Sequence, residues 1–336
     1  MTRAIRGILA TATTVCLLLS TFSLTAGASQ YENQLVVYTA HGPELVDPVI
    51  NLFKQKHPDV KVTVIQAGTG VMLSRIQAEK ANPGGDVMWG GPVETYQADE
   101  DLFAPYASPE DKYFQVTDPK NIWHANSVLP QTIAVNTRLV KPEEYPMTFQ
   151  ALLDPKWKAA GGIGFAHPGR SGTGYTILTS MVTLYGWDYV EKFLANAKIT
   201  NSSDEMFKMV RDGEVPVAFI NEDLGVKWIE GGAPLKLIYP KDGVSNQVDA
   251  CGLIRGAKHP NVAKLFIDFI LSKEVQQVYA TVLMRRSART DVAPPKGLVP
   301  LSDYKLIVRD GKWISEQKDQ ILQEFEKRLA AAARAK

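Results

Sequence analysis

Residues 167–181 read HPGRSGTGYTILTSM. From Gly169 the order G-R-S-G-T-G-Y-T matches the phosphate-gripping G-x-x-x-x-G-K-[ST] loop at every position but one, with Tyr175 where the lysine belongs. The chemistry on offer is anion binding. Gly172 and its neighbouring glycines admit a close ligand, Ser171 and Thr173 supply hydroxyl donors, and Arg170 supplies charge; backbone N–H groups at a helix start attract an anion. A plain strand-to-helix turn with Ser171 as its N-cap fits the same residues. Nucleotide hydrolysis does not, because Tyr175 brings no cation to the β/γ-phosphates and no acidic strand with a magnesium role stands out.

Other reactive patterns are thin. No G-x-S-x-G elbow occurs, and the five histidines show no H-E-x-x-H spacing. The reading is therefore a non-enzyme, with no catalytic residue, no metal ligand and no cofactor. His41 stands apart from the other histidines because it follows the first strand pattern, where a cleft-facing loop begins. With it come Thr39 and Gly42, then Thr69 and Gly70 after the second strand with Ser74 on the next helix, and Gly91 after the third. Three glycine-bearing loops at successive strand ends suit the wall of a binding cleft. Glu222 and Asp223 follow a later strand, and Asp242 and Gln247 precede another; acids at a helix start are also common as solvated residues. Trp89 suits core packing or stacking on a ligand.

The elements that must position these residues alternate. Residues 35–39 and 60–64 read as strands flanking a helix with Leu45, Val49 and Phe53 on one face, a βαβ start. A helix over 72–81, strands over 86–89 and 133–136, a short helix capped by Thr148, a strand over 163–166 and a helix over 172–185 follow. Strands over 215–220, 235–239 and 248–254, a helix around Val262 to Ile270 and a last helix over 315–333 complete the pattern. The fold class is α/β, in two lobes joined by hinge strands with a ligand cleft between them. The expected division is 1–28 as a signal peptide, 29–131 plus 250–285 as one lobe, 132–249 as the other, and 286–336 as a helical segment packing on the lobes.

Arg3 and Arg6, an apolar run and Ala26-Gly27-Ala28 predict a cleavable export signal, hence a periplasmic protein. Without those two arginines, 35 of the 37 basic residues remain against 36 acidic ones, which offers no basic footprint for nucleic acid. Cys251 is then the one cysteine of the mature chain, placed among apolar neighbours as a small buried hydrophobe.

At this point the residues resemble a family. Residues 35–43 (LVVYTAHGP), 76–89 (IQAEKANPGGDVMW), 154–158 (DPKWK), 213–221 (GEVPVAFIN) and 257–272 (AKHPNVAKLFIDFILS) are together similar to the ferric-binding-protein group of periplasmic substrate-binding proteins of ABC importers. The resemblance spans the mature chain. It implies a monomeric receptor that closes on a small solute and delivers it to an inner-membrane permease and its ATPase.

The iron binders of this group carry adjacent tyrosines after the I-N of the second-lobe strand and a glutamate after the D-V strand. Here Ile220-Asn221 leads into Glu222, Asp223 and Leu224, and Asp86-Val87 into Met88, Trp89, Gly90 and Gly91. Ferric ion wants anionic oxygen ligands. The anion cradle at residues 171–174 is kept, so the resemblance points to the sugar-phosphate and organophosphonate branch: a phosphate at one end, and hydroxyls or an amine facing Glu222 and Asp223 at the other. The alternative is a ferric receptor built on His41, Glu222 and Asp223.

Overall fold

The computed structural model describes residues 31–334. The expected export signal lies outside the described residues. The chain begins with β1 (Gln34–Thr39), α1 (Pro43–Lys56), β2 (Lys61–Gln66), α2 (Thr69–Ala78), β3 (Val87–Pro92), α3 (Val93–Ala98) and a two-residue β4 (Phe103–Ala104). A long β5 (His124–Asn136) leads to α4 (Lys156–Ala159), β6 (Ile163–Ala166), α5 (Gly172–Asn196), β7 (Ala197–Thr200), α6 (Ser203–Asp212), β8 (Val217–Asn221), α7 (Glu222–Glu230) and β9 (Leu235–Ile238). A second long strand, β10 (Ser245–Ile254), returns to α8 (Pro260–Leu271), α9 (Lys273–Thr281) and β11 (Arg286–Ser287), and the described chain closes with α10 (Gly311–Glu316) and α11 (Lys318–Arg334).

The strand order is β2-β1-β3-β10-β5-β8-β6-β7. β1 pairs in parallel with β2 and β3, and β6 pairs in parallel with β7 and β8. Between these two parallel sets run β10 and β5, antiparallel to each other from Ser245 opposite Gln131 to Cys251 opposite His124. Two apolar clusters form around this spine. One gathers Leu35, Val49, Phe53, Trp89 and Phe266; the other gathers Phe165, Phe193, Phe219 and Phe325. β5 contributes Ala125 to the first cluster and Ile133 to the second, so the crossing strands tie the lobes together.

The helix starting at Gly172 is broken at Gly186 (φ 74°, ψ −177°), one residue beyond the expected end at Tyr185. α11 packs its Ile321, Phe325 and Ala332 into the second cluster. No helix among the described residues is long and apolar enough to cross a membrane.

Candidate functional site

Parallel strands deliver their carboxyl ends to the same edge, and the helices that follow begin there. Both parallel sets do so toward one cavity of about 360 Å³. From the first lobe it receives His41, Gly42 and Glu44 at the start of α1, residues 66–69 leading into α2, and Gly91 at the end of β3. The second lobe presents Gly172 and Thr173 at the start of α5, Ser202 and Ser203 at the start of α6, and Asn221 and Asp223 at the start of α7. Five helix N-termini thus face one space, each bringing the positive end of its dipole and N–H groups that have no carbonyl partner within the helix.

The remaining wall is charged. Asp249 of β10 accepts from the Gly91 N–H (2.7 Å) and Gln247 Nε2 (2.9 Å) through Oδ1, and its Oδ2 lies 3.1 Å from His41 Nε2. Arg285 donates through Nε to Asp223 Oδ2 at 2.7 Å. His41, Asp223, Gln247, Asp249 and Arg285 are all buried. Burial pushes the His41 imidazole below its ordinary value, only partly opposed by Asp249. For Arg285 burial works against the charge, but Asp223 and Asp249 more than offset it and hold the guanidinium above its usual value. Asp223 Oδ1 and Asn221 Oδ1 are buried and have no hydrogen-bond partner.

The two lobes touch beside the cavity. The Gly70 N–H donates to Arg170 O at 3.2 Å. A Cβ on Gly70 would lie 2.1 Å from Gly169 O, and one on Gly172 would lie 2.5 Å from Pro92 Cδ, so both positions need glycine for the backbones to approach.

Of the residues expected from sequence, His41, Gly42, Thr69, Gly91, Gly172, Thr173, Asp223 and Gln247 line the cavity together. Others act behind it or elsewhere. Thr39 Oγ1 donates to Trp89 O and accepts from the His41 N–H, which orients the first loop. Ser171 is the N-cap of α5, its Oγ accepting from the Gly174 N–H at 2.9 Å and meeting Ser203 Oγ. Gly70 lies in the lobe contact, and Ser74 is exposed, donating to Gly70 O. Glu222 does not line the cavity: Arg286 holds it bidentately at 2.7 and 3.0 Å while Tyr239 donates to it at 2.8 Å. Asp242 is likewise away from it, accepting from the Phe149 N–H and Tyr185 OH.

Tyr175, the odd residue of the glycine-rich loop, turns inward and donates to Ile314 O at 2.6 Å. Arg170 points to Asn201, not into the cavity. Trp89 is core, fully buried, with its ring edge-to-face on His41. The sequence reading missed Asp249, Arg285, Asn221, Ser202 and Ser203. Ser202 and Ser203 had a usable signal, since S-S-D-E before an apolar run is a helix N-terminus signature that follows a strand.

The chain belongs to the bacterial extracellular solute-binding proteins, whose family model matches residues 84–297. A Haemophilus influenzae relative, itself without an assigned function, is 31% identical over 271 residues, 75% of this chain and 77% of the relative. A Salmonella typhimurium protein provisionally named a 2-aminoethylphosphonate-binding periplasmic protein is 25% identical over 296 residues, 82% and 85% of the two chains. Among solved structures, the periplasmic binding protein AfuA from Actinobacillus pleuropneumoniae, with fructose 6-phosphate bound, superposes with a TM-score of 0.81 at 27% identity, covering 88% of this chain and 98% of that one. The protein is accordingly a two-lobe periplasmic solute receptor of an ABC transporter, not an enzyme.

Proposed function

We propose that this receptor binds a small phosphorylated or phosphonylated organic solute and presents it, as a monomer, to an inner-membrane permease and its ATPase. The observation that carries the reading is the convergence of five helix N-termini on a cavity of about 360 Å³, with Thr69, Thr173, Ser202 and Ser203 supplying hydroxyls. A phosphorus oxyanion takes many N–H and O–H donors, and helix starts provide them with favourable dipoles. Asn221 and Asp223 line the same cavity and their Oδ1 atoms lack hydrogen-bond partners, which supports donors at the other end of the solute. The names of the Salmonella relative and of AfuA's bound ligand are consistent with this class.

A ferric site built on His41, Glu222 and Asp223 finds little support, because Glu222 is taken by Arg286 and Tyr239 and, among the described residues, no tyrosine lines the cavity. Among the described residues no group of three His, Cys, Asp or Glu side chains is placed to hold a metal ion.

A thermal-shift panel tests the reading: ligand-free protein with fructose 6-phosphate, glycerol 3-phosphate, 2-aminoethylphosphonate, inorganic phosphate and ferric citrate. A true ligand at 100 times its dissociation constant adds about 2.7 kcal/mol of stability. Stabilisation by ferric citrate alone would overturn the reading.

A further inference from the structure

We propose that Arg285 fixes the charge that the solute's tail can carry: as a counter-cation built into the cavity wall, it selects an uncharged, hydroxyl-bearing tail against an ammonium. This rests on the organophosphate reading of the cavity.

The Arg285 side chain is buried and lines the cavity. Besides its 2.7 Å bond to Asp223 Oδ2, its NH1 lies 3.4 Å from His41 Nδ1, 3.4 Å from Ser127 Oγ and 3.6 Å from Asp249 Oδ2. The chain reaches it through Met284 at φ 55°, a left-handed conformation uncommon for a residue other than glycine. Such backbone is found where the fold must aim a particular group. The guanidinium is therefore part of the built wall.

Its effect follows from which acceptors remain. Asp249 Oδ1 is taken by the Gly91 N–H and Gln247, and its Oδ2, which has no hydrogen-bond partner, sits 3.1 Å from His41 Nε2 and 3.6 Å from the same Arg285 guanidinium. Glu44 is exposed at the mouth, and Asp204 pairs with Lys208 at 2.7 Å. Asp223 Oδ1 and Asn221 Oδ1, on the second-lobe side of the cavity, likewise have no hydrogen-bond partner. A hydroxyl can donate to either without changing the local charge. An ammonium on Asp223 Oδ1 would share a carboxylate already paired with Arg285, placing cation beside cation at a pair that is itself buried. Lys227, one turn after Asp223 on α7 and also lining the cavity, adds positive charge on the same face.

Two matched pairs of compounds isolate the tail charge: 2-hydroxyethyl phosphate against phosphoethanolamine, and glucose 6-phosphate against glucosamine 6-phosphate. Titration calorimetry at pH 7 is expected to show the hydroxyl member binding at least about tenfold tighter to the wild type, a difference of about 1.4 kcal/mol. Arg285→Gln should erase or invert that preference. Should this variant not fold, Asp223→Asn keeps Arg285 and removes its counter-charge, and should widen the preference. Equal or tighter binding of the amine members by the wild type would overturn the proposal while leaving the organophosphate reading intact. A preference that stays the same in the variants that fold would also overturn it. If neither pair, nor fructose 6-phosphate, nor inorganic phosphate binds, the organophosphate reading fails and the proposal fails with it.

Discussion

Arg285 Nε lies 2.7 Å from Asp223 Oδ2, so a residue that follows α9 beside the first apolar cluster holds the start of α7 in the second lobe. Both partners are buried, and Asp249 Oδ2 stands 3.6 Å away on the same guanidinium. Removing one member of such a pair leaves an uncompensated buried charge. Arg285→Ala should destabilise the protein by about 3–5 kcal/mol, whereas Arg285→Met combined with Asp223→Leu should recover part of the loss, Asp249 still lacking its cation. Urea denaturation of the three proteins checks this; a loss under about 1 kcal/mol for the alanine variant would show the pair to be water-screened.

His41 gives the ligand-free protein a pH dependence whose sign is fixed by burial. Its folded pKa is depressed, first by desolvation, so the unfolded chain takes up the proton at higher pH than the folded one. Stability is thus full above the unfolded pKa of about 6.5 and falls as pH drops below it, by up to about 1.4 kcal/mol per unit. His57 is also held low by partial burial and adds to the slope. His41→Gln should reduce the slope between pH 6.5 and 5.5 without abolishing it. Melting curves across that range measure it, and an unchanged slope would mean that His41 is not held neutral.

The glycines at the lobe contact separate closure from folding. Gly70→Ala places a methyl 2.1 Å from Gly169 O across the contact, although within α2 alanine is the better helix former by about 1 kcal/mol. The variant should melt no lower than wild type without ligand yet bind ligand more weakly, with a larger radius of gyration in solution scattering. Equal loss of melting temperature and affinity would assign the glycine to folding alone.

Ser171 and Thr173 should now part company. Ser171 Oγ caps α5, so Ser171→Ala should cost about 1 kcal/mol of stability and affect ligand mainly through its contact with Ser203. Thr173 lines the cavity, and Thr173→Val should cost about 1.5–3 kcal/mol of affinity with stability little changed, as expected for a hydrogen bond to a charged group. Calorimetry and melting of both variants decide it. The reverse pattern would move the oxyanion away from Thr173.

The βαβ start was legible because Val60, Val62 and Val64 alternate and Leu45, Val49 and Phe53 share a helical face; Val62 and Val64 fall in β2, with Val60 just before it, and the helical face is buried in α1. The long strand β5 was read only over 133–136. Its first nine residues, HANSVLPQT, are rich in polar side chains and hold Pro130, which argues against a central strand, and pairing with β10, β11 and β8 makes it one. Site residues at helix starts were legible for the same local reason as their helices. Arg285 was not: in M-R-R-S-A-R it looks like any solvated cation, and its burial depends on Asp223 and Asp249, which lie far away in sequence. Glu222 failed in the opposite sense, since nothing local announces that Arg286 and Tyr239 will consume its oxygens.

The most direct measurement is titration calorimetry of the ligand-free protein with compounds taken with and without their phosphate: fructose 6-phosphate and fructose, glycerol 3-phosphate and glycerol. Several N–H and O–H bonds to a charged oxyanion, each contributing about 1.5–3 kcal/mol, should make at least one phosphorylated member bind more than about 100-fold tighter than its partner. Pairs that titrate alike, or a panel in which no phosphorylated member binds, would contradict a site built from helix N-termini to hold an oxyanion.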